Sequence, residues 1–119
     1  MATHNDLGRL GESLAVGYLL ENQYVILERN WRFQKAEIDI IAKKEAQIII
    51  VEVKTRNSNF FGDPQSFVSP EKIKLLLKAA NQYLVSNNIP LEVRFDILAI
   101  IKNKSTQEIT HFKDAFYHF

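Results

Sequence analysis

With 119 residues, 46% of them hydrophobic, the chain has the length of one domain and enough apolar side chains for one core, so a single domain over residues 1–119 is expected. The absence of cysteine excludes a disulfide framework and a thiolate metal site, leaving oxygen or imidazole ligands for any metal. Fifteen Lys plus Arg against 14 Asp plus Glu, a net charge of +1, exclude coating of nucleic acid by bulk charge; such binding must rest on local charge.

The N-terminal stretch lacks a basic segment ahead of a continuous apolar run, and no run approaches the roughly 18 apolar residues of a membrane span. No membrane association and a cytoplasmic location are therefore expected. Asn5 or Asp6 can cap a first helix, and Leu7, Leu10, Leu14 and Tyr18 recur at helical spacing to about Glu21. Tyr24 to Trp31, AEIDIIA at 36–42 and AQIIIVEVKT at 46–55 have strand character. The short Lys43 to Glu45 link joins the last two as an antiparallel hairpin.

Residues 56–69, rich in Asn, Ser, Gly and Pro, form the one long irregular segment. Ser69 followed by Pro70 starts a second helix, with Ile73, Leu76, Leu77, Ala80 and Leu84 as its buried stripe and an end near Asn87 and Asn88. Strands at 91–101 and 107–113 complete the order αβββαββ. This order describes an α/β protein with one mixed sheet flanked by two helices, an α/β/α layering.

The chemistry concentrates in Ile48-Ile49-Ile50-Val51-Glu52-Val53-Lys54, a strand apolar on both parities and hence covered on both faces. Alternation puts Glu52 and Lys54 on one face with Ile48 and Ile50. An isolated Glu-x-Lys at a strand end is commonly a structural ion pair. Asp39 changes that reading, because it sits in Ile38-Asp39-Ile40-Ile41, the hairpin neighbour of the Glu52 strand, with Glu37 on its own face. If that face also carries Glu52, two carboxylates converge on one hard cation beside Lys54. Mg²⁺ takes one or two protein carboxylates and completes its shell with water and phosphate oxygens. The expected chemistry is then metal-assisted phosphodiester hydrolysis, with Lys54 orienting a water or stabilising developing charge.

Other candidates surround this set. Glu12 lies near Gly8, Ala15 and Leu19 on the helical wheel, along the flank expected to face the sheet, where it either serves the ion site or pairs with Arg9. Arg56 has the planar fork suited to phosphate. Lys72, Lys74 and Lys78 stud the second helix as phosphate contacts or as a solvated face, and Lys72, in the first turn, ranks first among them. Phe60 and Phe61 either stack on unpaired bases or pin the loop. Arg94 and Asp96 are expected to pair, and His4, His111 and His118, without metal-ligand spacing, are assigned no role.

GESLAVGYL from Gly11, ERNWR from Glu28, AEIDIIA from Ala36, VEVKTR from Val51, FGDP from Phe61, SPEKIKLLLKAANQYL from Ser69 and RFDILAI from Arg94 together resemble the bacterial YraN family over nearly the whole chain. That family is placed in the restriction-endonuclease-like superfamily with the PD-(D/E)XK signature and is similar to archaeal Holliday-junction resolvases. The resemblance implies a nuclease fold, Glu12 as a helix-borne acid, Asp39 and Glu52 as metal ligands, Lys54 as the catalytic lysine and a lysine at position 72. The family's usual Gly-Glu-Ile-Asp is Ala36-Glu37-Ile38-Asp39 here, which bars a φ > 0 turn at that position without strain. The implied function is a Mg²⁺- or Mn²⁺-dependent endonuclease on structured or branched DNA, with a homodimer suited to a symmetric junction. The alternative is a nucleic-acid-binding module that keeps the nuclease fold without physiological cleavage.

Overall fold

A computed structural model describes residues 4–58 and 68–116, the first two by backbone alone. Its elements are α1 (His4–Glu21), β1 (Val25–Phe33), β2 (Ala36–Lys44), β3 (Gln47–Arg56), α2 (Pro70–Ser86), β4 (Glu92–Lys102) and β5 (Gln107–Phe112). This is the expected αβββαββ order. The strands form one sheet in the order β1-β2-β3-β4-β5, antiparallel except for the parallel pair β3 and β4, which α2 connects.

The two helices cover opposite faces. On one, Leu76, Ala79, Ala80 and Tyr83 of α2 pack on Ile38, Ile41, Ile48, Ile50, Phe95 and Ile97. On the other, Ala15 and Leu19 of α1 pack on Ile40, Ala42, Ile49, Val51, Leu98 and Ile100. Residues 48 to 51 of β3 thus alternate between two cores, and no position in that run is left for a polar side chain. Among the described residues no helix is long and apolar enough to cross a membrane.

Helix boundaries follow from local chemistry. Ser69 sits in extended geometry and its Oγ accepts the Lys72 N–H at 3.2 Å, with Pro70 at the first helical position, as the Ser-Pro pair predicts. Both helices close through a left-handed residue: Gln23 (φ 64°) lets the Tyr24 N–H reach the Leu19 carbonyl, and Asn88 (φ 53°) lets the Ile89 N–H reach that of Leu84. Two expectations need correction. Because α1 spans His4–Glu21, Asn5 and Asp6 lie inside its first turn and not at the position before it. Its buried face runs through Gly11, Ala15 and Leu19, whereas Leu10 is 42% exposed. The leucines gave a helical period displaced by about one residue, because a glycine at the tightest contact carries no apolar signal.

That contact is the closest approach of helix to sheet. A Cβ built on Gly11 would stand 1.9 Å from Thr55 Oγ1 and 2.8 Å from Thr55 Cβ. Gly11→Ala is expected to cost on the order of 1–3 kcal/mol by overpacking, read as a lower urea midpoint with unchanged m-value. An unchanged midpoint would show that α1 lifts from β3 without penalty.

The far end of the α1 face is tied by a buried polar network. Asp96 is fully buried and takes both Arg94 Nε (2.9 Å) and Nη2 (2.8 Å), His111 Nε2 (2.7 Å) and the backbone N–H of Asp114 (3.0 Å). Arg94 also donates to Tyr24 Oη, and Tyr18 Oη bonds His111 Nδ1 at 3.0 Å. The expected Arg94–Asp96 pair is present. His111, assigned no role from sequence, joins α1, β4 and β5 through it; the His4 side chain and His118 lie outside the described residues.

Candidate metal and nucleic-acid site

β2 and β3 stay hydrogen-bonded from the Lys44–Gln47 pair at the hairpin as far as Ile40 opposite Val51. One step beyond, where Asp39 meets Glu52, a side chain replaces the ladder: Asp39 Oδ2 accepts the Val53 N–H at 2.9 Å. The strands part there, and Asp39 stands in the gap. Two clefts of about 390 Å³ open from it, one bordered by Lys35, Ser69, Glu71 and Lys72 on the α2 side, the other by Arg9, Glu12, Asn30 and Thr55 on the α1 side; Asp39 and Glu37 line both. Ala36, where the family pattern has glycine, lies in ordinary strand geometry opposite Phe33, and the left-handed residue of that hairpin is Gln34 (φ 55°).

Glu52 continues the Ile48 and Ile50 parity onto the α2 face and is 1% exposed. Its Oε2 meets Lys72 Nζ at 2.6 Å, while Oε1 has no hydrogen-bond partner among the described residues. A carboxylate so placed costs several kcal/mol unless its charge is answered. Burial, followed by repulsion from Glu52, pushes the Asp39 carboxyl up to about 7 against the opposing pull of the Val53 N–H and Lys72, with Glu12 adding to the rise. For Lys72, burial pulls its pKa down, but the hydrogen bond to Glu52 and the charges of Glu52, Asp39 and Glu37 outweigh it and hold it above its ordinary value. Four groups from three layers thus feel one another: Glu12, Asp39, Glu52 and Lys72.

Glu12 does not pair with Arg9. It accepts from Asn30 Nδ2 at 2.9 Å and Arg29 Nε at 3.3 Å, two consecutive residues of β1 that both turn toward α1 because Asn30 is left-handed (φ 51°). After that flip Trp31 crosses to the opposite face and packs edge-on against Tyr83 of α2 at 5.2 Å. Glu37 is held by Arg32 at 2.8 Å near the surface.

Lys54 lies on the Glu52 face by strand alternation, half-buried, and among the described residues makes no salt bridge. Arg56 is exposed at the end of β3. Lys74 and Lys78 are exposed along α2, and Phe60 and Phe61 lie outside the described residues. The partner of Glu52 was missed from sequence. Glu52 and Lys72 are twenty residues apart, and the only signal was the placement of Lys72 in the first turn of a helix returning over β3.

Among the described residues no group of three or more His, Asp or Glu side chains gathers as a metal cluster. The donor set is two carboxylates, one with an oxygen unanswered among the described residues, which fits a hard divalent cation that takes one or two protein carboxylates. The fold resembles a nuclease-like α/β/α scaffold, and it carries an acidic split between β2 and β3.

The family model described as uncharacterised protein family UPF0102 matches residues 11–100, and the chain belongs to that family. It is 60% identical to a UPF0102 protein of Flavobacterium psychrophilum and 55% identical to one of Christiangramia forsetii, each over the full length of both chains. A UPF0102 protein of Bacteroides thetaiotaomicron is 46% identical over 98% of this chain and 97% of its own.

Proposed function

We propose that this protein binds the phosphate backbone of nucleic acid at the Asp39–Glu52 split, with Mg²⁺ or Mn²⁺ held by those two carboxylates. The observation that carries the reading is Glu52, a carboxylate 1% exposed with one oxygen unanswered among the described residues, a cost that a structural residue has no reason to keep. The resemblance to YraN proteins, and through them to the PD-(D/E)XK superfamily, supports nucleic acid as the ligand and structured or branched DNA as its form.

A bound divalent cation supplies charge neutralisation and polarisation of a phosphate oxygen. The chain's own residues do the rest. Asp39 is aimed by the Val53 N–H, Glu52 is fixed by the packed strand, and Glu12, braced by Arg29 and Asn30, adds negative charge at the rim. Arg56, exposed just past the split, is placed to fork onto a phosphate.

A second reading, phosphodiester hydrolysis at the same site, is favoured by Lys54. It sits half-buried on the Glu52 face with no salt bridge among the described residues, placed to orient a water or answer charge on the scissile phosphate.

The test incubates labelled single-stranded, duplex, flapped and four-way-junction DNA, and the matching RNAs, with Mn²⁺ or EDTA. Binding to at least one form is expected, weakened for all forms by Arg56→Ala, with the salt slope falling by about one. Binding without cleavage leaves a phosphate-binding module. Cleavage abolished by EDTA and by Lys54→Ala, with binding retained, makes the protein an endonuclease. No binding to any form overturns the proposal.

A further inference from the structure

We infer that Lys72 is a resident counter-ion that a divalent cation displaces from Glu52, freeing its ammonium for the nucleic-acid backbone. The inference rests on the reading of Asp39 and Glu52 as an ion site, and it adds that metal and phosphate binding are coupled through one side chain. The 2.6 Å contact between Lys72 Nζ and Glu52 Oε2 occupies the carboxylate a metal would need. Its two ends are unequal: the Glu52 side chain is 2% exposed, whereas that of Lys72 is 40% exposed. The carboxylate is fixed by the strand, and the lysine can swing out.

The backbone of Lys72 is pinned, because its N–H is the one that Ser69 Oγ accepts at 3.2 Å. Only the side chain need move. Asp39 and Lys72 border the same cleft, so a released ammonium stays beside the split. One ammonium answers two carboxylates incompletely, since Glu52 Oε1 is left unpartnered among the described residues and Asp39 is repelled by Glu52. A doubly charged ion answers both, and two cations at one carboxylate repel, so ion entry and lysine departure go together. Linkage then requires that whatever binds the departed lysine also tightens the ion.

Mn²⁺ affinity of the full chain, without nucleic acid, is the direct test, measured by titration calorimetry. Lys72→Met, which keeps the stem and removes the competitor, is expected to bind Mn²⁺ about tenfold more tightly than the wild type. Lys72→Arg, which restores the charge, is expected to return toward wild-type affinity. Lys74→Met removes the same charge from an exposed site on the same helix and is expected to change affinity less than about twofold. In a filter-binding assay Mn²⁺ should raise affinity for a short DNA duplex in the wild type and do so by severalfold less in Lys72→Met. Equal Mn²⁺ affinity in wild type and Lys72→Met, or an equal gain in Lys74→Met, overturns the counter-ion role and leaves the ion site standing. No Mn²⁺ binding by any of the proteins overturns both. Should Lys72→Met fail to fold, Lys72→Gln supplies the same comparison with the wild type in both the Mn²⁺ titration and the DNA assay.

Discussion

Asp39→Asn is expected to make the metal-free protein more stable at pH 8, raising Tm by roughly 5–10 °C. Asparagine keeps an oxygen for the Val53 N–H and removes the charge that burial and Glu52 oppose. The carboxyl goes from 3.8 to about 7, so between those values the native state holds a proton that the unfolded chain has released. The Asp39 contribution to wild-type stability is therefore fullest below about pH 4, falls by up to roughly 1.4 kcal/mol per pH unit as pH rises toward 7, and levels off above. The advantage of the variant should vanish as pH approaches 4, where the wild type carries the proton anyway. Mn²⁺ should stabilise the wild type at pH 8 and leave Asp39→Asn nearly unmoved. Thermal melts across pH with and without Mn²⁺ check this, and a variant less stable than wild type at pH 8 would refute the assignment of a strained, ion-seeking carboxyl.

Asp96→Ala is expected to do the opposite, costing about 3–5 kcal/mol by stranding the Arg94 guanidinium and the His111 ring. For a chain whose whole stability falls within about 5–15 kcal/mol, that leaves a partly unfolded population near 37 °C. Burial alone would raise the Asp96 pKa, but hydrogen bonds from His111, Arg94 and the Asp114 N–H overcome it and hold it below the ordinary value. Its contribution is therefore present above about pH 4 and lost as pH falls through its lower folded value. Urea denaturation at pH 7 and at pH 3 should find the gap between wild type and variant narrowing in acid. A loss below about 1 kcal/mol at neutral pH would mean that the network is not the tie described. The half-buried Asp39 and the buried Asp96 thus separate by sign: Asp39 costs the apo fold stability and Asp96 supplies it.

Much of this was legible in the residues. The apolar run from Ile48 could only be a doubly covered strand, and the acids set beside its far end stood out against it. Ser69 with Pro70 marked the start of α2 to the residue, because capping and proline geometry are local. What escaped was non-local or silent in composition. The pairing of Glu52 with Lys72 depends on where a helix lands after a crossover. The Glu12 partners depend on a left-handed Asn30 that breaks strand alternation, and a period-two reading of Arg29 to Trp31 misplaces side chains beyond it. His111 carries no spacing signal, since its two partners come from α1 and β4.

The approach of Gly11 to Thr55 has a consequence for transplanting the site. Atoms of Thr55 out to Cγ2, as well as its Oγ1 and Cβ, lie within 2.9 Å of where a Gly11 Cβ would be, so trimming Thr55 to alanine would leave the Cβ clash in place. Only a glycine at one of the two positions lets helix and strand sit at this depth. A designer grafting Asp39, Glu52 and Lys54 onto another α/β scaffold would therefore have to import the Gly11–Thr55 notch as well, or Glu12 would arrive at the wrong height above the split.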